Sequence, residues 1–250
     1  MCTLVLLRRP DHDWPIVVGA NRDEMIDRPW LPPDRHWPDR GDIVAGQDLE
    51  AGGTWLGLND YGVLAGVLNR PGALGPAPGK RSRGELVLEA LDHADADAAA
   101  EALTHIDGQA YRPFNLVLAD NRDAFWLRLE ADRGRVEKFT IDPGLSIITS
   151  HDLNDPDTPR ISRFRPRFEA LPHPDPDSDN WAGWQALLGD ATPGPDGDPA
   201  AAMTIERDLG FETVSSSLIA LPAIARAEVS PVWTFAPGRP DSTDYEIVKI

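Results

Sequence analysis

Short apolar, β-branched segments recur in batches along this chain, with helical stretches between the batches, and that alternation limits the fold more than any other feature. Thr3 to Leu7 and Ile16 to Ala20 are strand-like and flank a turn at Asp11 to Pro15. Gly53 to Leu58 and Val63 to Leu68 flank Asn59-Asp60-Tyr61-Gly62, a hairpin signal. Later strands are expected at 115–118, 124–129, 136–141 and 146–149, and again at 216–221, 232–235 and 245–248. Helices are expected from Ser82, where Ser82-Arg83-Gly84-Glu85 fits a capping box, and over 96–106, 158–171 and 181–188. The stretch Arg28 to Gly41 has Pro at 29, 32, 33 and 38, which excludes a helix interior or a central strand and predicts an ordered loop. The pattern predicts two sheets covered by helices in one domain spanning residues 1–250, an α+β class.

Charge and cysteine content narrow the functional classes. The formal net charge is -17, from 41 Asp plus Glu against 24 Lys plus Arg, so a phosphate-binding face and a nucleic-acid partner are not expected. Lysine occurs only at 80, 138 and 249, while the acids are 29 Asp and 12 Glu. An acidic, lysine-poor surface of this kind suits a salty cytoplasm, where screening removes self-repulsion, or an acidic protein from a GC-rich genome, which also favours Arg, Ala, Pro and Gly. No apolar run approaches the ~20 residues of a membrane span. The first apolar run is followed by Arg8 and Arg9 rather than preceded by them, the reverse of a secretory signal, so a cytoplasmic location is expected.

Several motifs fail on inspection. Gly75 to Lys80 is one residue short of a phosphate loop, and Arg81 stands where Ser or Thr is required. The six histidines, at 12, 36, 93, 105, 151 and 173, contain no His-x-x-x-His pair, so no metal site is expected. Ser215-Ser216-Ser217 lacks the frame of a nucleophile elbow. No cofactor is implied by any motif, and oligomeric state is not legible.

One constellation stands. Cys2 is the sole thiol and directly follows Met1. A small second residue permits removal of the initiator, which would give Cys2 both a nucleophile and a base, since a thiol near pKa ~8.5 and an α-amine near ~7.7–8.0 can exchange a proton close to neutrality. Asn21-Arg22-Asp23-Glu24 follows the apolar strand at Ile16 to Ala20. Such a polar run ordinarily makes a solvated turn. Antiparallel pairing of the first two strands instead sets Asn21 to Asp23 beside Cys2, where a carboxylate can orient the α-ammonium. Asn69 ends the strand after the Tyr61-Gly62 turn and is a candidate donor to an oxyanion.

Met1-Cys2-Thr3, Ala20 to Glu24, Gly52-Gly53-Thr54-Trp55-Leu56-Gly57 and Arg83-Gly84-Glu85-Leu86 together resemble the NRDE, or transport and Golgi organisation, family. The resemblance implies an N-terminal-nucleophile hydrolase-like fold, a four-layer αββα sandwich of two mainly antiparallel sheets. The wider superfamily includes bile-salt hydrolases and penicillin V acylases, to which Cys2, Asp23 and the Asn69 block are similar. This chain departs from them at Ser150-His151, where relatives tend to carry Ser-Asn. It departs again at Glu212-Thr213-Val214, where they tend to carry Gly-Thr-Arg.

Two functional readings follow. In the first, Cys2 attacks the carbonyl of a small acyl-amide, Asp23 orients its amine, Asn69 supports the oxyanion, and Asn21, Arg22, Trp55 and His151 contact the substrate. In the second, the resemblance implies a non-catalytic haem- or lipid-handling protein, with Cys2, His36 or His151 as haem ligands. Trp30, Trp37 and Trp55 suit an apolar pocket in either reading, or packing on the core.

Overall fold

A computed structural model describes residues 2–131, 133–195, 197–207 and 210–250. Two compact units make up the chain, one from residues up to Asp27 together with Pro143–Lys249, the other from Arg28–Asp142.

The first unit is built on strands β1 (Thr3–Arg8), β2 (Ile16–Met25), β10 (Gly144–Ile148), β11 (Glu206–Arg207), β12 (Phe211–Leu221), β13 (Val232–Ala236) and β14 (Glu246–Ile247). Among the described residues its sheet runs β10-β1-β2-β12-β13-β14, with β11 paired to β12, and every pairing is antiparallel. The alternation of strand side chains turns Val5, Leu7, Val17, Ile147, Leu218 and Ala220 to one face. There they pack against helices α3 (Pro159–Ala170) and α4 (Ala182–Leu188). Helical periodicity in α3 buries Arg160, Ile161, Phe164 and Phe168 on a single stripe.

The second unit holds β3 (Trp30–Asp34), β4 (Ile43–Asp48), β5 (Leu56–Asn59), β6 (Leu64–Asn69), β7 (Phe114–Ala119), β8 (Ala124–Leu129) and β9 (Glu137–Thr140) in sequential antiparallel order. Helices α1 (Gly84–Leu91) and α2 (Ala96–Thr104) cover one face through Leu86, Leu91, Ala99 and Leu103. The expected hairpin forms. Gly62 takes φ 85°, and Asn59 Oδ1 accepts from the N–H groups of Tyr61 (3.1 Å) and Val63 (2.8 Å). The Asn59 amide also donates to the carbonyls of Leu91 and His93, each at 2.8 Å, tying the turn to the end of α1.

The α+β class with two antiparallel sheets is as expected, and three local expectations are corrected. The proline-rich stretch contains β3. It lies at the sheet edge, where a missing N–H costs no ladder bond, and Pro32 and Pro33 fall at an irregularity between Leu31 and Asp34. A further strand, β4, was not legible because only Ile43, Val44 and Ala45 of its six residues are apolar. The capping box does not form. Helix α1 starts at Gly84, Ser82 Oγ accepts from the Gly84 N–H at 3.3 Å, and Glu85 pairs with Arg81 at 2.7 Å. Among the described residues, no helix is long and apolar enough to cross a membrane.

Candidate active site

Strand β2 does not stop at Ala20. It continues through Asn21-Arg22-Asp23-Glu24 to Met25 because β12, which starts at Phe211 rather than Ser216, pairs with it over that whole length. The polar run is therefore strand rather than solvated turn, and Asn21, Arg22 and Asp23 are all buried. The register Thr3↔Asn21 sets the start of β1 against this segment. Cys2, half-buried, places its Sγ 3.4 Å from the Asp23 N–H, which donates to it, and 3.5 Å from the Asp23 carbonyl. Burial pushes the Cys2 thiol above its ordinary pKa, and the negative charge of Asp23 adds to the rise. On the other side of β1, Leu4 pairs with Ile148.

The Asp23 carboxylate is held from two elements, β12 and α3. Its Oδ1 accepts from Thr213 Oγ1 at 2.7 Å, and Thr213 is its register partner on β12. Its Oδ2 lies 3.3 Å from Arg160 Nη1, an ion pair whose side chains are both fully buried. The same Nη1 donates to Thr3 Oγ1 at 2.6 Å, and Arg160 Nε donates to the Ala200 carbonyl at 3.3 Å. Thr213 Oγ1 accepts in turn from the Ile205 N–H at 2.9 Å. Neither Arg160 nor Thr213 was singled out as a site residue from sequence. The signal for Arg160 was available, since a cation at the head of the apolar i, i+4, i+8 stripe Arg160, Phe164, Phe168 must find a buried partner.

Asn21 faces the helices with Asp23. Its amide donates to the carbonyls of Leu188 (2.9 Å) and Met203 (3.1 Å), and its Oδ1 accepts from Ser216 Oγ at 2.7 Å. Ser216 accepts from the Tyr245 hydroxyl at 2.7 Å, and burial raises the pKa of that phenol. Asn21 therefore braces the end of β2. Arg22, on the alternate face, lies 4.0 Å from Glu24. His151 Nδ1 is 3.3 Å from Ser150 Oγ, just beyond β10.

In the other unit, Asn69 ends β6 opposite Phe114 of β7. Trp55 is half-buried and meets Trp30 edge-to-face, with ring centroids 5.8 Å apart. Gly46 makes room for it, since a Cβ there would stand 2.3 Å from the Trp55 ring. Trp37 donates from Nε1 to the Gly52 carbonyl at 3.2 Å, and half-buried His36 holds the Pro32 carbonyl at 2.8 Å through Nε2. Among the described residues, no three His, Cys, Asp or Glu side chains cluster as a metal site. Met1, expected to plug the mouth of a pocket at Cys2, lies outside the described residues.

A thiol, a carboxylate and a guanidinium thus converge at the ends of β1 and β2, a set able to hold an amino terminus and support nucleophilic attack. Solved structures share the architecture around it. A Caenorhabditis elegans N-acylethanolamine-hydrolyzing acid amidase ortholog matches with TM-score 0.59 and 12% identity, over 99% of this chain and 100% of that one. Penicillin V acylase from Agrobacterium tumefaciens matches with TM-score 0.52 and 13% identity, over 100% and 98%. At such identities the likeness shows the fold alone, an N-terminal-nucleophile hydrolase-like one. Among curated proteins, the mouse Transport and Golgi organization 2 homolog is 32% identical over 149 residues, 56% of this chain and 52% of that protein. The bovine homolog is 35% identical over 127 residues, 48% of this chain and 41% of that protein. The chain spans about half the length of the curated relatives it matches. The model of the Transport and Golgi organisation 2 family matches residues 1–193, and the chain belongs to that family.

Proposed function

We propose that this protein is a cysteine N-terminal-nucleophile amide hydrolase acting on a small acyl-amide. The observation that carries the reading is the contact of Cys2 Sγ with the backbone of Asp23, 3.4 Å from its N–H, on a fold shared with amidases and acylases. While Met1 is attached, the Cys2 nitrogen is an amide and cannot accept a proton, and burial keeps the thiol protonated. Removal of Met1 supplies an α-amine of pKa ~7.7–8.0 next to the thiol. The amine takes the thiol proton, the thiolate adds to the substrate carbonyl, and the ammonium returns the proton to the departing amine. Water then adds to the thioester and releases the acid. Asp23 holds the ammonium. Asn69 as oxyanion donor carries over from the resemblance; Arg22 is assigned to a substrate carboxylate, and Trp55 and His151 to substrate contact, His151 at a position where the chain departs from its relatives.

Intact mass before and after iodoacetamide tests this. Protein from its natural host should begin at Cys2 and take up one alkyl group, and Cys2→Ala should take up none. A chain that retains Met1, or a Cys2 inert to alkylation, would overturn the reading.

A further inference from the structure

Residues at 212–214 read Glu-Thr-Val, where the resemblance leads one to expect Gly-Thr-Arg. In the structure Thr213 sits opposite Asp23, and the register shifts between Thr213 and Ser215, so Val214 occupies a bulge. The position that would have carried a guanidinium is thus apolar and buried. A guanidinium nevertheless reaches Asp23, from α3. Arg160 Nη1 bridges Asp23 Oδ2 (3.3 Å) and Thr3 Oγ1 (2.6 Å), the residue next to Cys2.

We propose that Arg160 is the positioning residue of the nucleophile: it fixes the Asp23 carboxylate against the first turn of chain and balances its charge, so that Asp23 can hold the freed α-ammonium without suppressing the Cys2 thiolate. This rests on the reading of Cys2 as an N-terminal nucleophile. Without Arg160, Asp23 loses a buried positive charge that now offsets its own, so the ionised carboxylate bears more strongly on Cys2 and disfavours the thiolate. The other charged and titratable groups around this point are Arg22 and Glu24 on β2, His151 beyond β10, and Tyr245, reached through Ser216 and Asn21. The Asp23 carboxylate itself accepts from Thr213 and pairs with Arg160. The arrangement also assigns Thr3 a part, since its hydroxyl ties the guanidinium to the residue beside the nucleophile.

The test uses protein whose intact mass shows Met1 removed. Its iodoacetamide alkylation rate is followed between about pH 5.5 and 9.5, which reads the thiolate fraction directly. Arg160→Gln, which keeps a hydrogen-bond donor but no charge, should raise the midpoint by about one unit, a tenfold loss of thiolate at neutral pH. Arg160→Lys should stay within about 0.3 unit of wild type, rescue that a purely structural role for the fork would not produce. A folded Arg160→Gln protein whose midpoint tracks wild type or falls overturns the proposal. Should Arg160→Gln fail to fold, Thr3→Val decides, since it removes the tether between the guanidinium and the residue beside Cys2: a raised midpoint supports the proposal, and one within about 0.3 unit of wild type overturns it. A wild-type Cys2 that is inert at every pH overturns the nucleophile reading itself, whereas a reactive Cys2 indifferent to position 160 overturns only the role of Arg160.

Discussion

Gly53 and Gly84 meet backbone to backbone: a Cβ on Gly53 would stand 2.5 Å from the Gly84 carbonyl carbon, and the Thr54 N–H donates to the Gly84 carbonyl at 3.1 Å. Gly53 belongs to the Gly-Gly-Thr-Trp-Leu-Gly block and Gly84 opens α1 in the Arg-Gly-Glu-Leu block. Two of the four segments by which the chain resembles its family are thus two halves of one packing contact. The same contact explains why the helix starts at Gly84, since the residues before it must bring a bare backbone against Thr54. Further along the block, Gly57 is confined between Leu91 and Ala45, where a Cβ would approach to 2.7 and 2.8 Å.

A methyl group at that contact should therefore be costly. Gly53→Ala must push the start of α1 away from the sheet and should lower stability by about 1–3 kcal/mol or more. At this chain size that is a fall in Tm of roughly 2–4 °C per kcal/mol. Gly41→Ala has open space around it and should stay within about 0.5 kcal/mol. Equal melting temperatures for the two variants would contradict the packing account.

Thr213 both donates to Asp23 Oδ1 and accepts from the Ile205 N–H. Thr213→Val keeps the shape but leaves a buried carboxylate oxygen and a buried N–H short of a partner, at a cost of about 1–3 kcal/mol. Thr213→Ser should recover most of that loss. Chemical denaturation of the three proteins checks the order, and a Val variant as stable as wild type would remove Thr213 from the cluster.

Asp190 gives a pH dependence with a definite sign. Burial alone would push its carboxyl up, but hydrogen bonds from Arg167 (2.6 Å) and the Thr192 N–H (2.9 Å) hold it below its ordinary value. A lowered folded-state pKa means that the contribution is present above the unfolded value near ~3.9 and drains away as pH falls through the folded one. Asp190→Asn should cost about 1 kcal/mol at neutral pH, discounted because Arg167 is partly solvent-exposed. The Tm gap from wild type should close as the solution is acidified from neutrality to well below the ordinary carboxylate value of ~3.9. A gap that is constant with pH would show that the charge is not the source.

The surface charge predicts a salt response. With a net charge of -17, raising KCl from low to molar concentration should raise Tm, because repulsion among carboxylates is screened. The Arg35–Asp60 and Arg239–Asp241 pairs, each at 2.7 Å and partly exposed, weaken under the same screening, so the rise measures the excess of repulsion over attraction. A Tm that falls with KCl would oppose the proposed adaptation to a salty cytoplasm.

What the sequence determined by itself was whatever depends on neighbours along the chain. Short apolar, β-branched runs located most strands of both sheets, though not β3, β4 or β11, and the Asn59 to Gly62 turn located a hairpin. A short connection between β1 and β2 leaves antiparallel pairing as the simple outcome, and that pairing brings Asp23 to Cys2. Tertiary structure decided everything that depends on distant partners. Arg160 and Asp23 are 137 residues apart, and Thr213 and Asp23 are 190 apart. No local pattern specifies which buried cation meets which buried carboxylate. The boundary of β2 was decided in the same way. Asn21 to Glu24 has the composition of a turn, and only β12 on its flank, with Leu188, Met203 and Ser216 to satisfy Asn21, makes extended, buried backbone the lower free-energy state. Burying a polar side chain is tolerable only where its partners are already in place, and those partners arrive from elsewhere in the fold.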